Sequence, residues 1–164
     1  AVFQRLTEDG FFNKLPCILI TGKGYPDLAT RFLLKRMSNE FPHVRIFVLV
    51  DWNPGGVSIL STYKYGSITM GLESYRYACD VKWLGLRSGD IEEIPEESLV
   101  PLTTKDIQIA RSLLKSKFLP ENYINEIQTM LQREKRAEIE SLYYRGYDYL
   151  GKFLSKKIVQ GNYV

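Results

Sequence analysis

The run Arg45-Ile46-Phe47-Val48-Leu49-Val50-Asp51-Trp52-Asn53-Pro54-Gly55-Gly56 passes from uninterrupted apolar residues into an acid, an amide, a proline and two glycines. A short segment that is apolar on both faces reads as a strand in the centre of a parallel sheet. Pro54 suits the first turn of a helix, because its missing N–H would have no intrahelical partner there. That helix continues through Val57, Ile59, Leu60 and Tyr63 and stops at Gly66.

The same pattern extends on both sides. Residues 2–9 predict a short helix ended by Gly10. Residues 17–20, an apolar run bounded by Pro16 and Gly22, predict a buried strand. Residues 26–41 predict a helix whose apolar face is Leu28, Phe32, Leu33, Met37 and Phe41, ended by Pro42. Residues 80–86 predict a further strand. Strand, helix, strand, helix, strand is the order of an open α/β sheet. Beyond it the pattern is helical. Glu92, Glu93, Glu96 and Glu97 surround Pro95 in an acidic loop, and Thr103 or Thr104 caps a helix over 105–118. Residues 121–144 predict one long charged helix, and 147–159 a final one. Residues 1–88 are therefore expected to form an α/β core, with 89–164 a mostly helical extension of the same domain.

Length and composition are those of one globular domain: 164 residues, 45% hydrophobic and 25% charged. The apolar runs are too short to cross a bilayer, so no membrane partner is expected. The opening residues read as the interior of a longer protein. Cys17 and Cys79 lack ligand spacing and predict reduced, buried thiols of an intracellular protein. His43 has no Cys or His beside it, which argues against zinc. A net charge of +3 permits a nucleic-acid partner without demanding one.

Two places suit chemistry. Ligands gather at the carboxyl ends of strands in open α/β sheets. Asp51 and Asn53, two apart on an extended segment, present oxygens to the same side. A hard Mg²⁺ ion accepts such oxygens while keeping waters and phosphate oxygens. The alternative is that an acid at a strand end caps the next helix. The other place is Gly22-Lys23-Gly24 before the helix at Pro26, where glycines allow close backbone approach and Lys23 meets phosphate; the alternative is a tight turn. None of the 11 tyrosines, Tyr75 among them, has an obvious base beside it. The basic stretch Arg133, Lys135 and Arg136 is interleaved with glutamates and reads as a solvated face.

In combination these stretches are more specific. Phe3-Gln4-Arg5-Leu6, Ile20-Thr21-Gly22-Lys23-Gly24-Tyr25-Pro26-Asp27, Leu49 to Gly56, Tyr63-Lys64-Tyr65-Gly66-Ser67 and Lys82-Trp83-Leu84-Gly85-Leu86 follow one another in an order that resembles one family. Pro101-Leu102-Thr103 and Lys135-Arg136-Ala137-Glu138-Ile139 fit it further on. The family is the meiotic "sporulation-eleven" proteins, similar to the A subunit of topoisomerase VI, and the resemblance covers essentially the whole chain.

The resemblance implies a Toprim fold, a small Rossmann-like parallel sheet flanked by helices. It implies a DNA-cleaving transesterase of type IIB, whose nucleophilic tyrosine lies on an upstream winged-helix domain and becomes linked to the 5′ end of double-stranded DNA. It implies Mg²⁺, with Mn²⁺ as a substitute, held by Asp51 and Asn53, and a DNA-backbone approach by Gly22, Lys23 and Gly24. It also implies a homodimer, with other meiotic break proteins and a topoisomerase VI B-like subunit as partners, in a nuclear, chromosomal location. No catalytic residue is expected within the 164 residues, because the family's Toprim glutamate would also lie upstream. The family pattern is Asp-x-Asp, and Asn53 departs from it, which predicts weaker metal affinity. Glu73 and Asp80 are further acids without a reason to join the site. The alternative is a dimerisation and partner-docking module with a weakened metal site. A nuclease using metal-bound water would need a complete acidic set, which the sequence does not offer.

Overall fold

A computed structural model describes residues 1–66 and 76–164. Ser67, Glu73 and Tyr75 therefore lie outside the described residues. The elements are α1 (Val2–Glu8), α2 (Phe11–Lys14), α3 (Leu28–Glu40), β1 (Ile46–Val48), α4 (Pro54–Tyr65), β2 (Val81–Trp83), α5 (Ser88–Ile91), β3 (Val100–Pro101), α6 (Thr104–Leu114), α7 (Glu121–Arg133), β4 (Lys135–Arg136) and α8 (Tyr149–Val159). Short 3-10 segments span Glu96–Ser98 and Ile139–Arg145.

β1 and β2 run parallel, with Ile46, Phe47 and Val48 opposite Val81, Lys82 and Trp83. α4 is the crossover between them, and it packs against β2, α6 and α7. Asn53 caps α4, Pro54 opens it and Gly66 (φ 87°) closes it. After β2 the chain comes so close to the first strand that a Cβ on Gly85 would sit 1.9 Å from the Val50 carbonyl oxygen. Only glycine fits such an approach. Trp52, Trp83, Val57, Leu60, Ile127, Met130, Leu150 and Leu154 fill one core shared by both halves of the chain. Trp83 meets Tyr123 edge to face, with ring centroids 5.4 Å apart.

α8 is tied to this core by a buried charge. The Lys157 ammonium lies 2.5 Å from Asp90 Oδ2 and donates to the Gly85 carbonyl at 3.0 Å. Burial pulls its pKa below the usual lysine range, with Asp90 acting in the opposite sense. Such a pair holds geometry more than it adds stability, since two ions must be desolvated to form it. The chain end returns to β2, where Val164 and Trp83 exchange backbone hydrogen bonds at 2.5 and 3.3 Å.

The mixed α/β architecture with a small parallel sheet flanked by helices is the expected one, and four expectations need correction. Residues 17–20 form no strand, and Ile18 is 72% exposed. A strand exists only by pairing, and among the described residues this run has no hydrogen-bonded neighbour. Cys17 is consequently exposed, while Cys79 is buried. On α3, Leu28, Phe32 and Leu33 are exposed, as is Phe41 after it, whereas Arg31 and Leu34 are buried. The helix shows outward the stripe that its periodicity assigns to the core. Finally, 121–144 is not one helix. α7 ends where Glu134 takes a left-handed conformation (φ 53°), and the chain then pairs as β4 with β3. Among the described residues no helix is long and apolar enough to cross a membrane.

The exposure difference predicts the behaviour of the two thiols. In the folded protein a thiol reagent labels Cys17 promptly, whereas Cys79 reacts only once denaturant opens the core; equal labelling rates would contradict this packing.

Candidate metal centre

The site is built where β1 runs out. Past Val48 the chain stays against the core through Val50 and then places Trp52, which is fully buried, on the inner side. Alternation along extended backbone sends Asp51 and Asn53 the other way. Trp52 is held by its backbone, its N–H donating to the Ala137 carbonyl at 2.9 Å and its carbonyl accepting from the Ala137 N–H at 3.0 Å. Its indole N–H donates to Glu126 Oε2 at 2.8 Å.

The two candidate ligands do different work. Asn53 Oδ1 accepts the Gly56 N–H at 2.6 Å, which makes Asn53 the cap of α4. The capping role that a strand-end acid could have taken thus falls to Asn53. Its oxygen has a second lone pair, but the residue is nearly buried. A Cβ on Gly56 would meet the Asp51 carbonyl oxygen at 2.4 Å, so the helix start can press onto the strand end only at glycine. Asp51 Oδ1 accepts the Ile139 N–H at 2.9 Å. Its Oδ2 has no hydrogen-bond partner among the described residues.

Burial pushes the Asp51 carboxyl above the usual aspartate range. The Ile139 N–H opposes that shift, Glu140 and Glu138 add to it, and Arg136 opposes it. Arg136 is itself 3.6 Å from Asp106 and 4.0 Å from Glu138. A carboxylate whose ionised form is disfavoured by its surroundings gains more from a nearby cation than a solvated one does. The fit to a divalent ion rests on this one half-buried carboxylate. Among the described residues no group of three His, Cys, Asp or Glu side chains converges as a ready-made cage. Mg²⁺ tolerates this, because it keeps several waters and needs few protein ligands.

The glycine loop lies along the flank of α4. The Tyr25 hydroxyl donates to Ser58 Oγ at 2.9 Å, and a Cβ on Gly22 would fall 2.8 Å from the Tyr63 hydroxyl. Lys23 adopts a left-handed conformation (φ 52°) and is exposed, with its N–H donating to Thr21 Oγ1 at 3.2 Å. No hydrogen bond links Gly22, Lys23 or Gly24 to Asp51 or Asn53 among the described residues.

Sequence pattern alone does not show that the segment from Lys135 to Glu140 lies against the strand end, nor does it single out the carboxylate of Glu126. A signal for the first is present: Ala137 and Ile139 are buried and Glu138 between them is exposed, the period of a strand. It is masked by the strong helical period that precedes it.

A strand-end acid on a small parallel sheet flanked by helices is the arrangement of a Toprim domain. Over residues 1–158 the chain matches the Toprim domain of the topoisomerase 6 A-subunit/Spo11 family, and it belongs to that family. It is 65% identical over 164 residues to meiotic recombination protein SPO11-2 of Arabidopsis thaliana. It is 40% identical over 171 residues to meiotic recombination protein SPO11 of Homo sapiens. It is 37% identical over 170 residues to the A subunit of DNA topoisomerase 6 of Arabidopsis thaliana. Each alignment covers all of this chain but only 40–43% of the relative.

The capping role of Asn53 has a measurable consequence. Asn53→Ala lowers unfolding stability in urea by about 1 kcal/mol. Asn53→Asp, which keeps the accepting oxygen, changes it by a few tenths only; equal losses in the two variants would show that the cap contributes nothing.

Proposed function

We propose that this chain is the metal-binding Toprim half of a topoisomerase VI A-like DNA transesterase that makes meiotic double-strand breaks. Family membership supports the class of reaction. The half-buried Asp51 carboxylate at the end of β1, with one oxygen tethered to Ile139 and the other free among the described residues, carries the metal assignment. Asp51 is the principal ligand of Mg²⁺, with Mn²⁺ as a substitute, and Asn53 is an auxiliary oxygen beside its capping role. When bound, the ion neutralises phosphate charge and orients the scissile phosphodiester. Lys23, exposed between Gly22 and Gly24, approaches the backbone of double-stranded DNA.

The remaining parts belong to the longer protein. The nucleophile is a tyrosine of an upstream winged-helix domain, which attacks the phosphodiester and stays joined to the 5′ end, in the manner of a type IIB enzyme. A glutamate upstream of residue 1 completes the acidic set, and a homodimer brings the tyrosine of each copy to the metal site of the other. Other meiotic break proteins and a topoisomerase VI B-like subunit are the further partners, on chromosomes in the nucleus. Residues 1–88 supply the α/β core and 89–164 its helical extension. Alone, the 164 residues cleave no DNA; Mg²⁺-dependent nicking by them would overturn that division of labour.

A second reading has its own observation. Ile18, Ile20, Leu28, Phe32, Leu33 and Phe41 are all exposed, and Leu28, Phe32 and Leu33 share one face of α3 by their spacing. A domain serving chiefly for dimerisation and docking would carry such a face. Sedimentation across a concentration series tests this reading: self-association of the 164 residues in the low micromolar range supports it, and a monomer throughout removes its support.

The metal assignment is tested by titrating Mn²⁺ and following amide resonances. Broadening begins at Asp51, Asn53 and the residues near Ile139, and Asp51→Ala abolishes it. Uniform broadening, or broadening that survives in the variant, would place the ion elsewhere.

A further inference from the structure

Glu126 lies on α7, 74 positions from Trp52 in sequence, and its carboxylate collects three hydrogen bonds. Oε2 accepts the Trp52 indole N–H and the Ser88 backbone N–H, both at 2.8 Å. Oε1 accepts the Ser88 hydroxyl at 2.9 Å. The group is partly buried, where hydrogen bonds to a charged acceptor are strong and unmade ones are costly. It makes no hydrogen bond to Asp51 or Asn53 among the described residues. It does fix the side chain of the residue between them, whose backbone is already pinned on both sides by Ala137. With Trp52 held inward by both side chain and backbone, alternation along the strand end turns Asp51 outward, where Oδ1 accepts the Ile139 N–H.

We propose that Glu126 is a positioning residue of the metal centre: through the Trp52 indole it sets the register of the Asp51-Trp52-Asn53 strand end against the Ala137–Ile139 segment, and so aims the Asp51 carboxylate. The role in metal binding rests on the reading of Asp51 as a ligand; the role in aiming Asp51 does not. Ser88 is the third member, because the same carboxylate closes the start of α5 onto the strand end. Losing Glu126 deprives the indole N–H, the Ser88 backbone N–H and the Ser88 hydroxyl of the carboxylate that accepts from all three. The Trp52 ring then turns, and the Asp51–Ile139 hydrogen bond is the first to loosen. A glutamine preserves the arrangement: its carbonyl oxygen accepts from Trp52 and from the Ser88 N–H, and its amide donates to the Ser88 hydroxyl oxygen.

The test compares Glu126→Ala and Glu126→Gln with Leu154→Ala, a core truncation on α8 that removes none of the network's hydrogen bonds. Amide hydrogen exchange is read at Ile139, relative to Leu84, whose N–H donates to the Val48 carbonyl in the sheet. Mn²⁺ titration midpoints are read in parallel. In Glu126→Ala, Ile139 exchange accelerates about tenfold more than Leu84 exchange, and the Mn²⁺ midpoint rises about fivefold or more. Glu126→Gln stays near the parent protein in both, and Leu154→Ala accelerates the two amides equally with an unchanged midpoint. Should Glu126→Ala not fold, Trp52→Phe removes the indole N–H from the network, together with part of a buried ring, and is expected to shift both the Ile139-to-Leu84 exchange ratio and the Mn²⁺ midpoint in the same direction. Equal acceleration at Ile139 and Leu84 in the Glu126 or Trp52 variant overturns the proposal. If the parent protein binds no Mn²⁺, the metal reading fails while the exchange ratio still decides whether Glu126 aims Asp51.

Discussion

Two backbone hydrogen bonds between Trp52 and Ala137 join the end of β1 to a segment that follows α7. Without them the helical half of the chain would reach this strand end through side-chain contacts alone. With them the strand end acquires an outer wall: two residues past Ala137, Ile139 supplies the N–H that holds Asp51, 88 positions away in sequence. Closing so long a loop costs entropy before any contact is made, and the core must offset it. Trp52, Ala137 and Ile139 are all buried, so the hydrogen bonds form inside the apolar surface whose burial drives the closure.

That wall also sets the electrostatics of the site. It brings Glu138 and Glu140 toward Asp51, and with them Arg136. The glutamates and the desolvation disfavour a charged Asp51, while Arg136 and the Ile139 N–H favour it. Arg136 cannot act fully on Asp51, because Asp106, locked in the capping box with Thr103 at the start of α6, holds its guanidinium at 3.6 Å. Asp51 is thus left as an acid whose charged form the described residues compensate only in part.

Much of this was legible in the sequence where local signals and tertiary demands agree. β1, α4 with its Pro54 start and Gly66 stop, and a cap of α6 at Thr103 or Thr104, which the structure resolves to Thr103, all follow from short-range chemistry. The failures fall where a segment's state depends on a distant neighbour. Residues 17–20 have the composition of a strand but no pairing partner among the described residues. α3 has the periodicity of a core-facing helix but exposes Leu28, Phe32 and Leu33. Glu134 breaks a helix that its neighbours would continue, because the backbone beyond it is claimed by β3 and by Trp52. Asp51 stands out as a candidate from its place at a strand end. Glu126 does not, since on α7 it is one charged residue among several, and only the fold shows that it faces an indole.

Asn53 carries the last constraint. Its side chain must accept the Gly56 N–H, a task that asparagine and aspartate perform equally well at a helix start. An aspartate there would add a favourable charge at the N-terminus of α4. It would also add a like charge two residues from Asp51, which burial and two glutamates already push toward its neutral form. Asparagine satisfies the helix without deepening that repulsion. The consequence for metal binding follows from the same balance: one carboxylate at this strand end ionises more readily than two would, yet it offers an arriving cation one negative charge fewer. A cation held at such a strand end would need the rest of its charge balanced by ligands other than Asp51 and Asn53.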